Sequence, residues 1–221
     1  MYDYQMQYPN MNTPKYTPRS VRPGMLSKLN EIRVDVSELK PMSVDTPQVA
    51  IAIWLSAWIN AINKLNRGLM GAFIGETPSI FTHSCNVRRH TSIYEVVTYL
   101  NTIAYPYGWS YHLSRVATWE DVKLALLEGF TVMVGGTVYS SFDKAVHTGV
   151  VPMPKPGEDL LGGQIVNIVG FNQETDMALA IGNMGTKAGN QGMFQYRGSH
   201  LRNLGIFRDY FLLTSRYTDA S

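Results

Sequence analysis

The sequence predicts an α+β fold in two lobes, and three observations carry that prediction. Helix caps and helical apolar stripes fall before Gly129, five segments of strand character fall between Thr131 and Thr214, and the turns joining those segments are rich in Gly, Pro and Asn. Helices first and strands second separate an α lobe from a β lobe. The 221 residues suit one domain able to bury a sizeable core, and 45% hydrophobic residues is a globular composition.

Residues 1–24 form the first element, an extended arm. Tyr2, Tyr4, Tyr8 and Tyr16 alternate with Pro9, Pro14, Pro18 and Pro23, a proline density that forbids a helix, and no period of two supports a strand. Tyrosines make good anchors, since each buries a large ring while its hydroxyl finds a polar partner. The four tyrosines are therefore candidate partner-binding residues, the alternative being an arm that lies back on its own domain. Next, Gln48–Asn66 is apolar almost all the way round, which predicts a buried helix, with Asp45 or Thr46 as cap and Pro47 in the first turn. Ser92 and Glu95 have capping-box spacing ahead of the stripe Ile93, Val96, Val97, Leu100 and Ile103. A third helix starts at about Thr118, with Asp121 three residues on, and stops at Gly129. Strands are predicted at 131–139, 164–171, 177–181, 192–196 and 210–214.

Composition excludes several function classes. The net charge is +2 and the longest basic run is Arg88-Arg89-His90, so no specific nucleic-acid binding is expected. The single cysteine, Cys85, permits no internal disulfide. Met1–Asn12 lacks the pattern of a secretory signal, and the stretch from Val49 to Ile62, broken by Ser56 and Asn60, is too short to span a bilayer. A protein that is soluble or assembled, not secreted and not inserted in a membrane, is expected. Charged residues make up only 16%, which suggests a surface partly covered by partners. His83, Cys85 and His90 lack the fourth ligand and spacing of a metal site, and no glycine forms a phosphate loop, so no cofactor or metal is expected.

From Thr148 onward the ordered motifs resemble the carboxy-terminal lobe of papain-like cysteine peptidases, particularly their bacterial and viral branch. The resemblance rests on Thr148–Gly157, Leu161–Phe171 with its paired Gly162-Gly163, the turn Gly182-Asn183 and the strand opening Gly192-Met193-Phe194, preceded by Gly129–Phe142. It implies a papain-like two-lobed fold with a buried central helix and a C-terminal antiparallel β-barrel-like lobe. The arm would be followed by a single domain over 25–221, its helical lobe about 45–128 and its β lobe about 129–215. In that family a thiol at the start of the central helix is activated by the helix N-terminus and by an imidazole that an asparagine orients. The resemblance places Gln48 at the thiol position, Gln164 at the imidazole position and Asn183 at the orienting position. Met42 falls near the oxyanion glutamine, and the tryptophan of the family's turn is missing.

A carboxamide has no accessible proton equilibrium, so neither glutamine serves as nucleophile or base. Ser43 and Thr46 lack a base to activate them, Cys85 lies away from the expected cleft, and His147 and His200 are expected at the surface. The resulting expectation is a protein that is not an enzyme: a papain-like pseudoprotease serving as a structural component, such as a capsid or tail protein of a large double-stranded DNA virus or phage, joined to other subunits through its arm. A peptide-binding regulatory pseudoprotease and an active peptidase are the alternatives.

Overall fold

The computed structural model describes residues 5, 13–17, 31–33, 48–64, 91–182 and 184–217. Helix α1 (Gln48–Lys64) has no polar face, and it is buried for that reason. Ala50, Ile53, Trp54, Leu55, Ala57 and Ile59 are inaccessible to solvent, and Trp54 stacks on the half-buried Trp58 with ring centroids 5.4 Å apart. Helix α2 (Ile93–Ala104) begins at the expected capping box: Glu95 N–H donates to Ser92 Oγ at 3.2 Å and Ser92 N–H to the Glu95 carboxylate at 2.7 Å. It buries Ile93, Val96, Val97, Leu100 and Ala104, then tightens into a short turn at Tyr105–Tyr107 that ends on Gly108 at φ 76°. Helix α3 (Trp119–Leu127) has a second capping box, Thr118 with Asp121, and stops where Gly129 takes φ 82°.

The sheet is built from β1 (Glu31–Arg33), β2 (Trp109–Arg115), β3 (Val132–Tyr139), β4 (Val150–Val151), β5 (Leu160–Asn172), β6 (Met177–Ile181), β7 (Met193–Arg197) and β8 (Phe207–Tyr217). Its order is β2-β8-β3-β5-β6-β7-β4, with β1 paired to β5. All neighbours are antiparallel except β4 with β7. The two ends, β2 and β4, do not pair, so the sheet is open and the expected barrel-like closure is not formed. Strands β1, β2 and β4, a helix after β3 and a one-turn helix at Gly198–Leu201 are additions to the sequence reading. Strand β2 extends the sheet from the helical half, alternating buried Trp109, Tyr111 and Leu113 with more exposed residues. Helix α4 (Phe142–Thr148) is short, and exposed His147 lies in its last turn.

The central helix lies across β5 and β8. Two polar residues fix it there, both inaccessible: Asn167 Nδ2 donates to Ala52 O at 3.2 Å and to Ser56 Oγ at 2.9 Å. An isolated amide and an isolated hydroxyl in apolar surroundings satisfy each other, and they fix the helix's position along the strand.

The arm returns to its own domain at Pro14–Tyr16. Tyr16 N–H donates to Arg115 O and Arg115 N–H to Pro14 O, each at 2.8 Å, which sets Lys15 parallel to the end of β2. Tyr16 Oη donates to the Glu128 carboxylate at 2.8 Å, and Thr13 Oγ1 to Tyr94 Oη at 3.2 Å. Tyr16 is thus engaged in cis, while Tyr2, Tyr4 and Tyr8 lie outside the described residues.

Replacing Asn167 leaves the buried Ser56 hydroxyl without its amide partner. Asn167→Ala is expected to lower the unfolding free energy by about 1–3 kcal/mol in urea titrations. Adding Ser56→Ala should cost less than the sum of the single changes, and strictly additive losses would contradict the pairing.

Candidate functional site

The first residue of α1 and the paired-glycine strand meet through Gln48. Its carboxamide accepts from Ile165 N–H at 3.0 Å and donates to Gly163 O at 3.4 Å, so it brackets Gln164. Strand β6 pairs with β5 only from Asn167 onward, so this part of the β5 edge lies beyond the end of β6. The side chain supplies the pair of bonds that an adjacent strand would make, and it is 1% exposed.

Gln164 turns into the β lobe. It is 5% exposed, and its Nε2 donates to Tyr196 Oη at 2.8 Å. The structure therefore brings together the two positions that the resemblance paired. Asn183, Cys85, His83, His90, Met42, Ser43 and Thr46 lie outside the described residues.

His200 departs from its expected surface position. It lies on α5 (Gly198–Leu201), directly after β7, and is 4% exposed. The reason is a contact with the β5–β6 turn. Asp176, at φ 52° in the β5–β6 turn, accepts from Gly198 N–H through its carbonyl and from Ser199 N–H through its carboxylate, and Arg202 grips that carboxylate through both terminal nitrogens at 3.0 Å. That anchor draws the helix inward, so the imidazole sits 5.8 Å from the Tyr196 ring and 5.4 Å from the Phe207 ring, with Nδ1 buried and unpartnered. Burial pushes the imidazole pKa down to about 4. Gln164 and His200 line one small pocket with Tyr139, Ser141, Pro152 and Phe207.

This framework decides the fold when set beside known proteins. Xylellain, a cysteine protease from Xylella fastidiosa, superposes with a TM-score of 0.76 over 96% of this chain and 95% of its own, at 16% identity. The fold is papain-like. The Carica candamarcensis cysteine protease CMS1MS2 matches the papain-like chain over 84% of its length and 98% of the protease, with a TM-score of 0.56 and 13% identity. In sequence, an uncharacterized peptidase C1-like protein of Acanthamoeba polyphaga mimivirus is 32% identical over 96 residues, or 42% of this chain. The chain spans 31% of that curated relative's length. No family model matches.

These matches overturn the expectation that the chain is not an enzyme. The structural matches are cysteine proteases and the sequence relative is named as a peptidase, which points toward an enzyme. That expectation rested on two side chains. Carboxamides at 48 and 164 exclude those two groups from nucleophilic and general-base roles, and they say nothing of Cys85 or the five histidines. The comparisons also give no support to a pseudoenzyme, capsid, tail or phage role. Among the described residues, no helix is long and apolar enough to cross a membrane, and no cluster of three or more His, Cys, Asp or Glu is placed to hold a metal ion.

The sequence presents His200 only as a surface residue, and it gives Tyr196 and Asn167 no role of their own. Only Asn167 carried a signal, as an amide interrupting the run Ile165-Val166-Asn167-Ile168-Val169.

The buried imidazole sets a pH dependence of stability. Its folded pKa lies below its unfolded value of about 6.5, so the unfolded chain binds more protons between the two. The contribution is complete above about pH 6.5 and is lost as the pH falls toward 4. His200→Phe should remove it. The unfolding free energy of the parent chain relative to the variant should fall by on the order of 2 kcal/mol from pH 7 to pH 4, as read by denaturant titration. A difference that does not change with pH would contradict the burial.

Proposed function

We propose that the chain acts on polypeptides as a peptidase-type protein of the papain-like fold, taking an extended segment along the face where α1 meets β5. The observation that carries this reading is the near whole-length likeness to xylellain, and the peptidase C1-like name of the viral relative supports it. A thiol-dependent reaction in this chain has one source for its sulfur, because Cys85 is the only cysteine. Gln48 and Gln164 then serve as structural groups of the cleft, one completing the β5 edge and the other tied to Tyr196.

A second reading is assembly: the bound polypeptide belongs to another subunit of a larger particle, a virion among the candidates. The low charged fraction of 16% favours it. The two readings separate in one set of measurements on the full chain. Fluorogenic peptides and an epoxide probe for thiols should report hydrolysis and labelling that depend on the native fold and disappear in Cys85→Ala. Peptide capture without turnover, together with a mass in solution well above one chain, would favour assembly. Neither capture nor turnover would overturn both.

A further inference from the structure

The end of the sheet that carries β2 holds an exposed aromatic patch with no place in the cleft. Tyr105 is 72% exposed, Tyr217 55% and Tyr107 46%; Tyr105 and Tyr107 lie in the turn that leads into Trp109, and Trp109 meets the Tyr217 ring edge-on at 5.0 Å. The Trp109 indole N–H is buried beside them without an acceptor. So many rings gathered at one end of a surface of low charge mark an interaction site, since each offers a large flat contact at little cost in side-chain entropy.

The arm indicates what covers it. Its docked stretch, Pro14–Tyr16, runs parallel to β2 at Arg115, so the N-terminal end of that stretch points back along β2 toward Trp109. From Arg115 to Trp109 is about 20 Å of strand, whereas twelve residues reach about 40 Å when extended. The backbone ladder cannot continue that far. Asn101 already holds both edge groups of Tyr111, donating to its carbonyl at 2.9 Å and accepting from its N–H at 2.6 Å. Contact beyond that point has to be made by side chains, and Met1–Asn12 supplies Tyr2, Tyr4, Met6, Tyr8 and Pro9, groups that stack on aromatic rings.

We propose that the segment Met1–Asn12 of this chain docks in cis on the patch formed by Tyr105, Tyr107, Trp109 and Tyr217. This is independent of the peptidase reading, because the patch lies at the β2 end of the sheet and takes no part in the contacts between α1 and β5. The test uses the full chain with a benzoylphenylalanine photo-crosslinker at position 8, irradiated at high dilution and mapped by peptide mass. The expected product has the mass of one chain and joins the arm to peptides spanning 105–109 or 215–217. The double change Tyr105→Ser with Tyr107→Ser should cut its yield about tenfold. Crosslinks confined to other parts of the domain, a yield indifferent to the double change, or a product of twice the chain mass would each overturn the proposal, the last by showing that the arm is received by a second copy.

Discussion

One carboxamide joins the two halves of this protein. Gln48 opens the central helix, and its side chain fills the edge of β5 beyond the end of β6, where Gly163 O and Ile165 N–H would otherwise face the interior without partners. Buried backbone groups have to be paired, and an unpaired one costs on the order of 1–3 kcal/mol. A helix that is apolar all round could slide or rotate in an apolar bed without much penalty. Gln48 at its first residue, with Ala52 and Ser56 farther along the same side, fixes both its depth and its rotation against β5.

The same contact shapes the chemistry available at the cleft. Both amide hydrogen-bonding functions of Gln48 are directed at β5, and Gln164 is turned toward Tyr196, so these positions act as structural groups. Any thiol chemistry is thereby left to Cys85, the only cysteine of the sequence. The buried imidazole, His200, shares a pocket with Gln164 and is held neutral near pH 7 by its aromatic surroundings.

Much of this architecture was legible in the residues. The two capping boxes, the apolar helix and the paired-glycine strand each have a local cause: a side chain that reaches its own backbone, a sequence with no polar face, a glycine at positive φ. What the sequence did not disclose depends on distant contacts. Strand β2 is short and half polar, and it becomes a strand by pairing with β8, about a hundred residues on. His200 reads as a surface residue until Asp176 anchors the helix that carries it. The sheet stays open because its terminal strands lie at opposite ends of a seven-strand order, a property of topology that no local pattern encodes. Among the arm tyrosines, Tyr16 is engaged by Glu128 and Arg115 of its own domain, a pairing set by where β2 and α3 end.

The helix–edge contact governs how the halves are held, and amide hydrogen exchange at Ile165 reads it directly. In the parent chain that amide should exchange among the slowest, through global unfolding, although it lies beyond the end of β6. In Gln48→Ala it should become fast through local opening, while amides within the β3–β8 pairing keep their protection. An Ile165 amide that exchanges equally slowly with and without the Gln48 side chain would contradict the account.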